Sequence, residues 1–537
     1  MPGLAEILDE NAALRQREAL AVSRVTALEA ELEQLRTKLD VLMASHDRFS
    51  EMFELMAKKK DIARSERFIA NEQQALLFVA SDDQPARDPV LEESSPLAPQ
   101  KVDGRVTAKH PRKGRRNLKD LGLAQRVVHA RIDAPACDTC GGQREAIAPQ
   151  ITHRIGWEPG QFTVIEVHQE RCACPRCPKP AVWAAPMPFL LPAAMCDDAL
   201  LARVIVDKFG DHIPLNRQAR RMGREGFTVG VNVLCNWVFA AYEHAGRALA
   251  KAVMGQVANA RVLLTDDSGL PVQDGSDGRL APGRLWVFTD QQQAFFAFSR
   301  TKEGHNPAEV LAELHASGVL VADGGSEYNL TCERLQLERA GCWSHLRRYF
   351  HEAALVEPAA AAALPTIRDL FLIERQLTDQ QATLDERLAA RNSRSRTLVD
   401  GLYAWIRTRI ASTRPQSAFG AALTYAINQE ARLRVFLSNA SVPLHNNLSE
   451  LLLRQPIVGR KNWLFAGSEG GAEAAAAWYT LIASCVMQGI DPAVYLCDVF
   501  RRISDHSANW VHELTPWQWR LAVEAGDFKP YSPGRYA

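Results

Sequence analysis

Residues 261–270 read RVLLTDDSGL and residues 317–328 read SGVLVADGGSEY. In each, a short apolar run, Val262-Leu263-Leu264 or Val319-Leu320-Val321, is closed by an aspartate. Runs of this length and composition, bounded by turn residues, are the pattern of buried strands. Asp266 and Asp323 are therefore expected at strand ends, pointing away from the core, with Asp267 a rival to Asp266. Between them, RLWVFTD (284–290) and AFFAFS (294–299) flank a QQQ turn and read as two further strands. A helix around 307–316 then precedes the strand ending at Asp323, as a crossover connection requires.

A third carboxylate lies far downstream, in LHNNLSELLLRQPIVGRKNWLFAGS (444–468). Glu450 opens a stretch whose Leu451, Leu452 and Leu453 look helical. Two strand-borne aspartates and one helix-borne glutamate are hard oxygen donors, suited to Mg²⁺ or Mn²⁺. Two such ions about 3.5–4 Å apart would activate an attacking oxygen and stabilise a leaving one, the chemistry of phosphoryl transfer. Arg460 and Lys461 follow closely and are expected to meet DNA phosphates, whereas Trp463 and Phe465 read as core.

Cysteine spacing carries the next signal. Cys137-x-x-Cys140 and Cys174-x-x-Cys177 bracket a β-rich segment, the pattern of a closed four-thiolate Zn²⁺ site with a structural role. Cys172 competes with Cys174 but would break the paired spacing. The other six, Cys196, Cys235, Cys332, Cys342, Cys485 and Cys497, lie in apolar contexts and read as core.

The chain has 537 residues, too many for one core, so several domains are expected. Its 63 basic and 63 acidic side chains leave no formal net charge, so any DNA surface must arise from local segregation. No apolar run reaches the ~20 residues of a bilayer span, and a cytoplasmic, nucleoid-associated location without membrane contact is expected. Leu28, Leu32, Leu35, Leu39 and Leu42, with Leu14 and Val25 in register, form an a/d seam and imply a coiled-coil dimer. The Pro- and Ser-rich stretch from about residue 80 reads as a linker. Its later half carries Lys101, Arg105, Lys109, Arg112, Lys113, Arg115, Arg116 and Lys119, which could track phosphates or remain solvated. Residues 214–244 read as a helix with Arg217, Arg220, Arg221 and Arg224, a turn at Glu225-Gly226, and a second, apolar helix, a candidate helix-turn-helix. CWSHLRRYF (342–350) offers His345, Arg347 and Arg348 for phosphate contact or internal pairing.

Together with the acidic motifs, PLNRQARRMGREGFTVGVNVLCNW (214–237), GRLWVF (283–288), CWSHLRRYF (342–350), GRKNWLFAGS (459–468) and SCVMQGIDPAVYLCDVF (484–500) resemble, in order, the insertion sequence 66 family of transposases. The resemblance implies an Asp-Asp-Glu site, Asp266, Asp323 and Glu450, on a ribonuclease H-like fold. It also implies binding to terminal inverted repeats and target DNA, and small companion proteins from the same element. The fold class that follows is multidomain α/β. Coiled coil at 1–60 and a helical, basic linker at 61–125 lead to a zinc-binding domain at 126–192 and a helix-turn-helix region at 193–255. A ribonuclease H-like domain at 256–485, with a helical insertion at about 352–440, and a C-terminal helical segment at 486–537 complete it. One departure stands out: the family's third motif usually begins Asp-Asn-Asn and ends Glu-Arg, where this chain has His445-Asn446-Asn447 and Glu450-Leu451. Two further classes follow from these features, a nuclease of the same fold and a DNA-binding derivative that has lost catalysis.

Overall fold

The computed structural model describes residues 123–130, 140–143, 145–158, 161–174, 182–273, 279–303, 305–312 and 318–527, with Gly3, Leu118, Arg176 and Pro530 as single positions. The leucine heptads, the named linker cations, Cys137 and Cys177 lie outside the described residues. The chain divides into two units, one containing Gln84–Cys342 and Ser441–Ala537, the other containing Trp343–Ala440.

The first unit begins with a sheet of β1 (Ala124–Ala130), β2 (Glu145–Glu158), β3 (Gln161–Ala173) and β4 (Val182–Ala184), in which β3 pairs with all three others. Helices α1 (Asp198–Phe209), α2 (Leu215–Arg224), α3 (Val231–Ala241) and α4 (Arg247–Ala258) follow. Asp197 caps α1 by accepting from the Leu200 amide at 2.9 Å. The turn after α2 falls at Glu225-Gly226 as expected, with Gly226 at φ +94°, a region that favours glycine. On α3, Leu234, Trp237, Val238 and Ala241 are buried, so its apolar face packs inward.

The central sheet comprises β5 (Val262–Gly269), β8 (Arg284–Thr289), β9 (Ala294–Ser299), β10 (Val319–Val321) and β11 (Glu338–Ala340), in the order β11-β10-β5-β8-β9. The short ribbon of β6 (Val272–Gln273) and β7 (Leu280–Ala281) lies between β5 and β8 in sequence. β10 runs parallel to β5 and β11 to β10, whereas β8 and β9 form an antiparallel meander with β5. Helix α5 (His305–Ala312) precedes β10, and α6 (Glu327–Leu335) joins β10 to β11. One expectation is corrected. β5 does not stop at Asp266 but continues to Gly269, because β8 keeps pairing with it after β10 has ended at Val321.

The second unit is wholly helical where described: α7 (Trp343–Ala354), α8 (Leu364–Asp379), α9 (Leu384–Ala390), α10 (Arg396–Ile410) and α11 (Ala418–Arg434), with short 3₁₀ and π turns between. Its core holds Trp343, Phe350, Leu370, Tyr403 and Phe419. The Trp343 indole donates to the Leu433 carbonyl at 2.9 Å. Buried Arg391 is bound by Glu374 at 2.7 Å and by the carbonyls of Phe436 and Asn439. This helical unit begins at Trp343, ahead of the insertion expected from about residue 352. CWSHLRRYF is its first helix, since Trp343, Leu346 and Phe350 share one buried face at helical spacing.

In the first unit again, α12 (Asn447–Trp463), α13 (Glu469–Met487), α14 (Pro492–Arg502) and α15 (Pro516–Ala525) complete the fold. α13 covers edge strand β9. The Ser484 hydroxyl bonds both the amide and the carbonyl of Ala294, and the Thr480 hydroxyl accepts from the Phe296 amide at 2.9 Å. Side-chain hydroxyls thus satisfy backbone groups that an open edge would expose. Among the described residues no single helix is long and apolar enough to cross a membrane.

Candidate active site

Leu264 on β5 pairs with Val321 on β10, and these strands are parallel. Asp266 and Asp323 each lie two residues further on, so the register brings both to one level at the same end of the sheet. The turn after β10 is fixed from within. The Asp323 carboxylate accepts from the Gly325 amide at 2.9 Å, and Arg339 on β11 donates to the carbonyls of Asp323 and Gly325 at 2.6 and 2.7 Å.

Glu450 reaches this end through α12. Asn446, fully buried before the first turn, donates its side-chain amide to the Thr265 carbonyl at 2.7 Å and accepts from the Ser449 hydroxyl at 2.9 Å. The helix start is thereby tied to the residue before Asp266. Glu450, four positions on, shares the face of Asn446. Burial raises the Asp266 carboxyl well above the usual range, and the charges of Asp323 and then Glu450 raise it further. Those last two causes put Asp323 and Glu450 each within electrostatic reach of Asp266.

The far end of α12 is tied to β5 as well, since Arg460 donates to the Gly269 carbonyl. Gly459 has no room for a side chain. A Cβ there would meet the Tyr479 hydroxyl at 2.7 Å and the Trp463 indole nitrogen at 2.9 Å. The departures from the family motif are accommodated locally: His445 Nδ1 accepts from the Asn447 amide at 3.3 Å, and Leu451 is 57% exposed.

Asp267 points to the opposite face of β5, as strand periodicity demands. Its side chain is 3% exposed and paired with Arg284 at 3.0 Å and Lys302 at 3.2 Å, and Lys302 also pairs with Glu327 at 3.0 Å. Its carboxyl is raised by burial, a shift that Lys302 and Arg284 oppose. Among the described residues no ion pair engages the carboxylate of Asp266 or Asp323. The Asp267 amide donates to the Asp266 carboxylate at 2.8 Å, and hard oxygens gathered at one end of the sheet are a donor set that a divalent cation fits.

The remaining expected residues fall into three groups. Cys140 and Cys174 approach with sulfurs 3.4 Å apart, close to the ~3.8 Å between two thiolates 2.3 Å from one tetrahedral ion. That contact favours Cys174 over Cys172, which is buried within β3. Of the six cysteines expected in the core, Cys235 is exposed, because it lies on the outward face of α3. Among the cations, Arg217, Arg220 and Lys461 are exposed, and Arg217 donates to Asn462 at 3.2 Å, joining α2 to the end of α12. Arg221 instead turns inward to Asp207, and half-buried Arg460 is occupied by Gly269. His345, Arg347 and Arg348 are half-buried on α7 of the helical unit. Sequence reading passed over Arg339 and Lys302. The one available signal was Arg339 within the short strand Glu338-Arg339-Ala340, a cation at a core position that needs partners.

The family model described as "Transposase IS66 family" matches residues 193–474, a span that contains Asp266, Asp323 and Glu450, and one described as "IS66 C-terminal element" matches residues 480–517. The uncharacterized protein y4hP of Sinorhizobium fredii (strain NBRC 101917 / NGR234) is 31% identical over 431 residues, 75% of this chain and 76% of that protein. The uncharacterized protein y4qI of the same strain is 27% identical over 433 residues, 77% of this chain and 78% of its own. The chain belongs to the IS66 family of transposases.

Proposed function

We propose that this transposase binds the ends of its element, cleaves phosphodiester bonds there and joins the freed 3′-hydroxyl to target DNA. The observation that carries this reading is the convergence of carboxylates from β5, from the turn after β10 and from α12, with no ion-pair partner for either aspartate among the described residues. The strand order, an antiparallel meander on one side of β5 and parallel crossovers on the other, supports a ribonuclease H-like catalytic domain. Asp266, Asp323 and Glu450 would hold Mg²⁺ or Mn²⁺, which when bound supplies polarisation of the attacking and leaving oxygens. In the first step water attacks phosphorus and the P–O3′ bond breaks. In the second, the released 3′-hydroxyl attacks a target phosphodiester in equivalent in-line geometry. A new P–O bond forms as the target's own P–O3′ bond breaks and its 3′-hydroxyl leaves, so no covalent protein–DNA intermediate is needed. Asn446 and Arg460 hold α12 on β5 and so keep Glu450 in position before substrate arrives.

Arg217, Arg220 and Lys461 form the exposed cationic surface assigned to element DNA, with His345, Arg347 and Arg348 of the helical unit as further phosphate contacts. Arg221 and Arg460 serve inside the protein. α2 and α3 are read as the helix-turn-helix, and Cys137, Cys140, Cys174 and Cys177 as a structural zinc site. Self-association through the N-terminal heptads and cooperation with small companion proteins complete the reading. The test is Mg²⁺- or Mn²⁺-dependent cleavage and joining on a fragment carrying the element's ends, comparing the native chain with Asp323→Ala. Joined products that vanish in the variant are expected. End binding without cleavage by the native chain, companion proteins supplied, would instead identify a DNA-binding derivative.

A further inference from the structure

Tyr328 is 0% exposed on the first turn of α6, yet among the described residues its hydroxyl has no hydrogen-bond partner. The ring is not free to turn in search of one. Trp286 meets it edge-on at 6.1 Å, and the Arg339 guanidinium lies 5.6 Å from its centre. Arg339 is itself bound to Asn329 and to the carbonyls of Asp323 and Gly325. The carboxylates of Asp266, Asp323, Asp267 and Glu327 lie within electrostatic reach of this hydroxyl. Burial first, and then their charges in that order, keeps it a neutral phenol with one proton to donate. Asp267 and Glu327 are already engaged by Lys302. A buried hydroxyl left unbonded destabilises a fold, and phenylalanine would fill the same space without that cost. The hydroxyl therefore calls for an acceptor that is not a protein atom, at the acidic end of the sheet.

We propose that Tyr328 is a positioning residue of the acidic site, its hydroxyl donating to a water molecule held against Asp266 and Asp323 and thereby steadying the oxygen donors around a bound cation. The inference rests on the reading that these aspartates hold a divalent ion. Outer-shell hydrogen bonds of this kind typically govern metal affinity by about ten- to a hundredfold. The experiment measures thermal melting of the full chain without DNA, metal-free and across a Mn²⁺ titration, for the native protein, Tyr328→Phe and Asp323→Asn. Mn²⁺ that binds the folded chain raises its melting temperature in proportion to occupancy. Tyr328→Phe is expected to melt no lower than native without metal and to need about tenfold more Mn²⁺ for half the shift. Asp323→Asn is expected to lose the shift. An unchanged Mn²⁺ requirement in Tyr328→Phe, with the shift lost in Asp323→Asn, overturns the role of Tyr328 alone. A full shift in Asp323→Asn sinks the reading of the site itself. A metal-free Tyr328→Phe that melts well below native would mean the hydroxyl is bonded within the protein, and overturns the proposal too.

Discussion

The two faces of β5 carry neighbouring aspartates in opposite electrostatic circumstances. On one face Asp267 is neutralised by Arg284 and Lys302, and Lys302 extends the network to Glu327. On the other, Asp266 faces the charges of Asp323 and Glu450, and no cation appears among the influences on it. A fold stabilises a buried carboxylate by pairing it, and leaves one unpaired where something else will bind. Under the proposed function, the contrast separates a structural acid from a metal-binding one at positions adjacent in sequence.

The sharpest test substitutes each in turn. Asp266→Asn should reduce metal-dependent strand cleavage by more than about a hundredfold, since it removes a direct donor. It should also raise the metal-free melting temperature by relieving repulsion. Asp267→Asn should do the reverse: cleavage within a few-fold of native, and a stability loss of about 1–2 kcal/mol, smaller than for a fully buried pair because Arg284 and Lys302 are partly solvated. Cleavage assays with calorimetry on both variants would decide it, and matching signs for the two would break the comparison.

The same logic applies to sulfur. Two cysteine sulfurs 3.4 Å apart are close enough to share one cation. Cys174→Ser is expected to lose zinc, measured by atomic emission on the purified chain, and to destabilise the β1–β4 sheet. Cys172→Ser should keep its zinc. Retention of metal by the Cys174 variant would remove that residue from the ligand set.

How much of this was legible beforehand depended on the range of the interaction concerned. Apolar runs gave the strands because burial on both faces imposes a local pattern, and the same runs put Asp266 and Asp323 at strand ends; that these are the same end of one sheet follows from the parallel β5–β10 register. The choice between Asp266 and Asp267 was not local. The difference in pairing between them comes from Arg284 and Lys302, which arrive from β8 and from the segment after β9. The length of β5 escaped for a related reason, because the strand continues only while β8 remains beside it. CWSHLRRYF was read for its cations, although Trp343, Leu346 and Phe350 had the spacing of a core helix. Arg221 and Arg460 looked like a basic surface because sequence shows charge and not the inward turn of a side chain.

A smaller effect tests how the ligand-seeking face is assembled. Asn446 holds the start of α12 on the Thr265 carbonyl, so Asn446→Ala should leave that carbonyl short of a donor and let Glu450 drift. A loss of about 1–3 kcal/mol in stability is expected. Cleavage should slow by about tenfold or more, as misplacement of a reacting constellation generally does. The variant should show the cleavage deficit at saturating metal as well as near the midpoint, and full recovery at saturation would mean that Asn446 acts only on affinity.

Asp198 supplies an intermediate case and the smallest effect on cleavage. Its carboxylate, 1% exposed, accepts from the Leu190 amide at 3.0 Å but has its cation, Arg501, only at 3.7 Å. Burial raises its pKa to about 7. The Leu190 amide, Arg501 and the more distant Arg154 oppose the shift, while Asp197 adds to it. A raised carboxyl pKa means that the folded chain binds this proton more tightly than the unfolded chain. Its stabilising contribution is therefore complete below the ordinary aspartate range and is lost as pH rises toward 7, at no more than about 1.4 kcal/mol per pH unit. Melting temperatures of the native chain and Asp198→Asn between pH 4 and 8 should differ in slope over that window and run parallel above it. Cleavage by Asp198→Asn at pH 8 should match native within a few-fold, because Asp198 belongs to the packing of α1 against α14 and not to the acidic end of the sheet. Identical slopes would show that Arg501 compensates Asp198 as fully as Lys302 and Arg284 compensate Asp267.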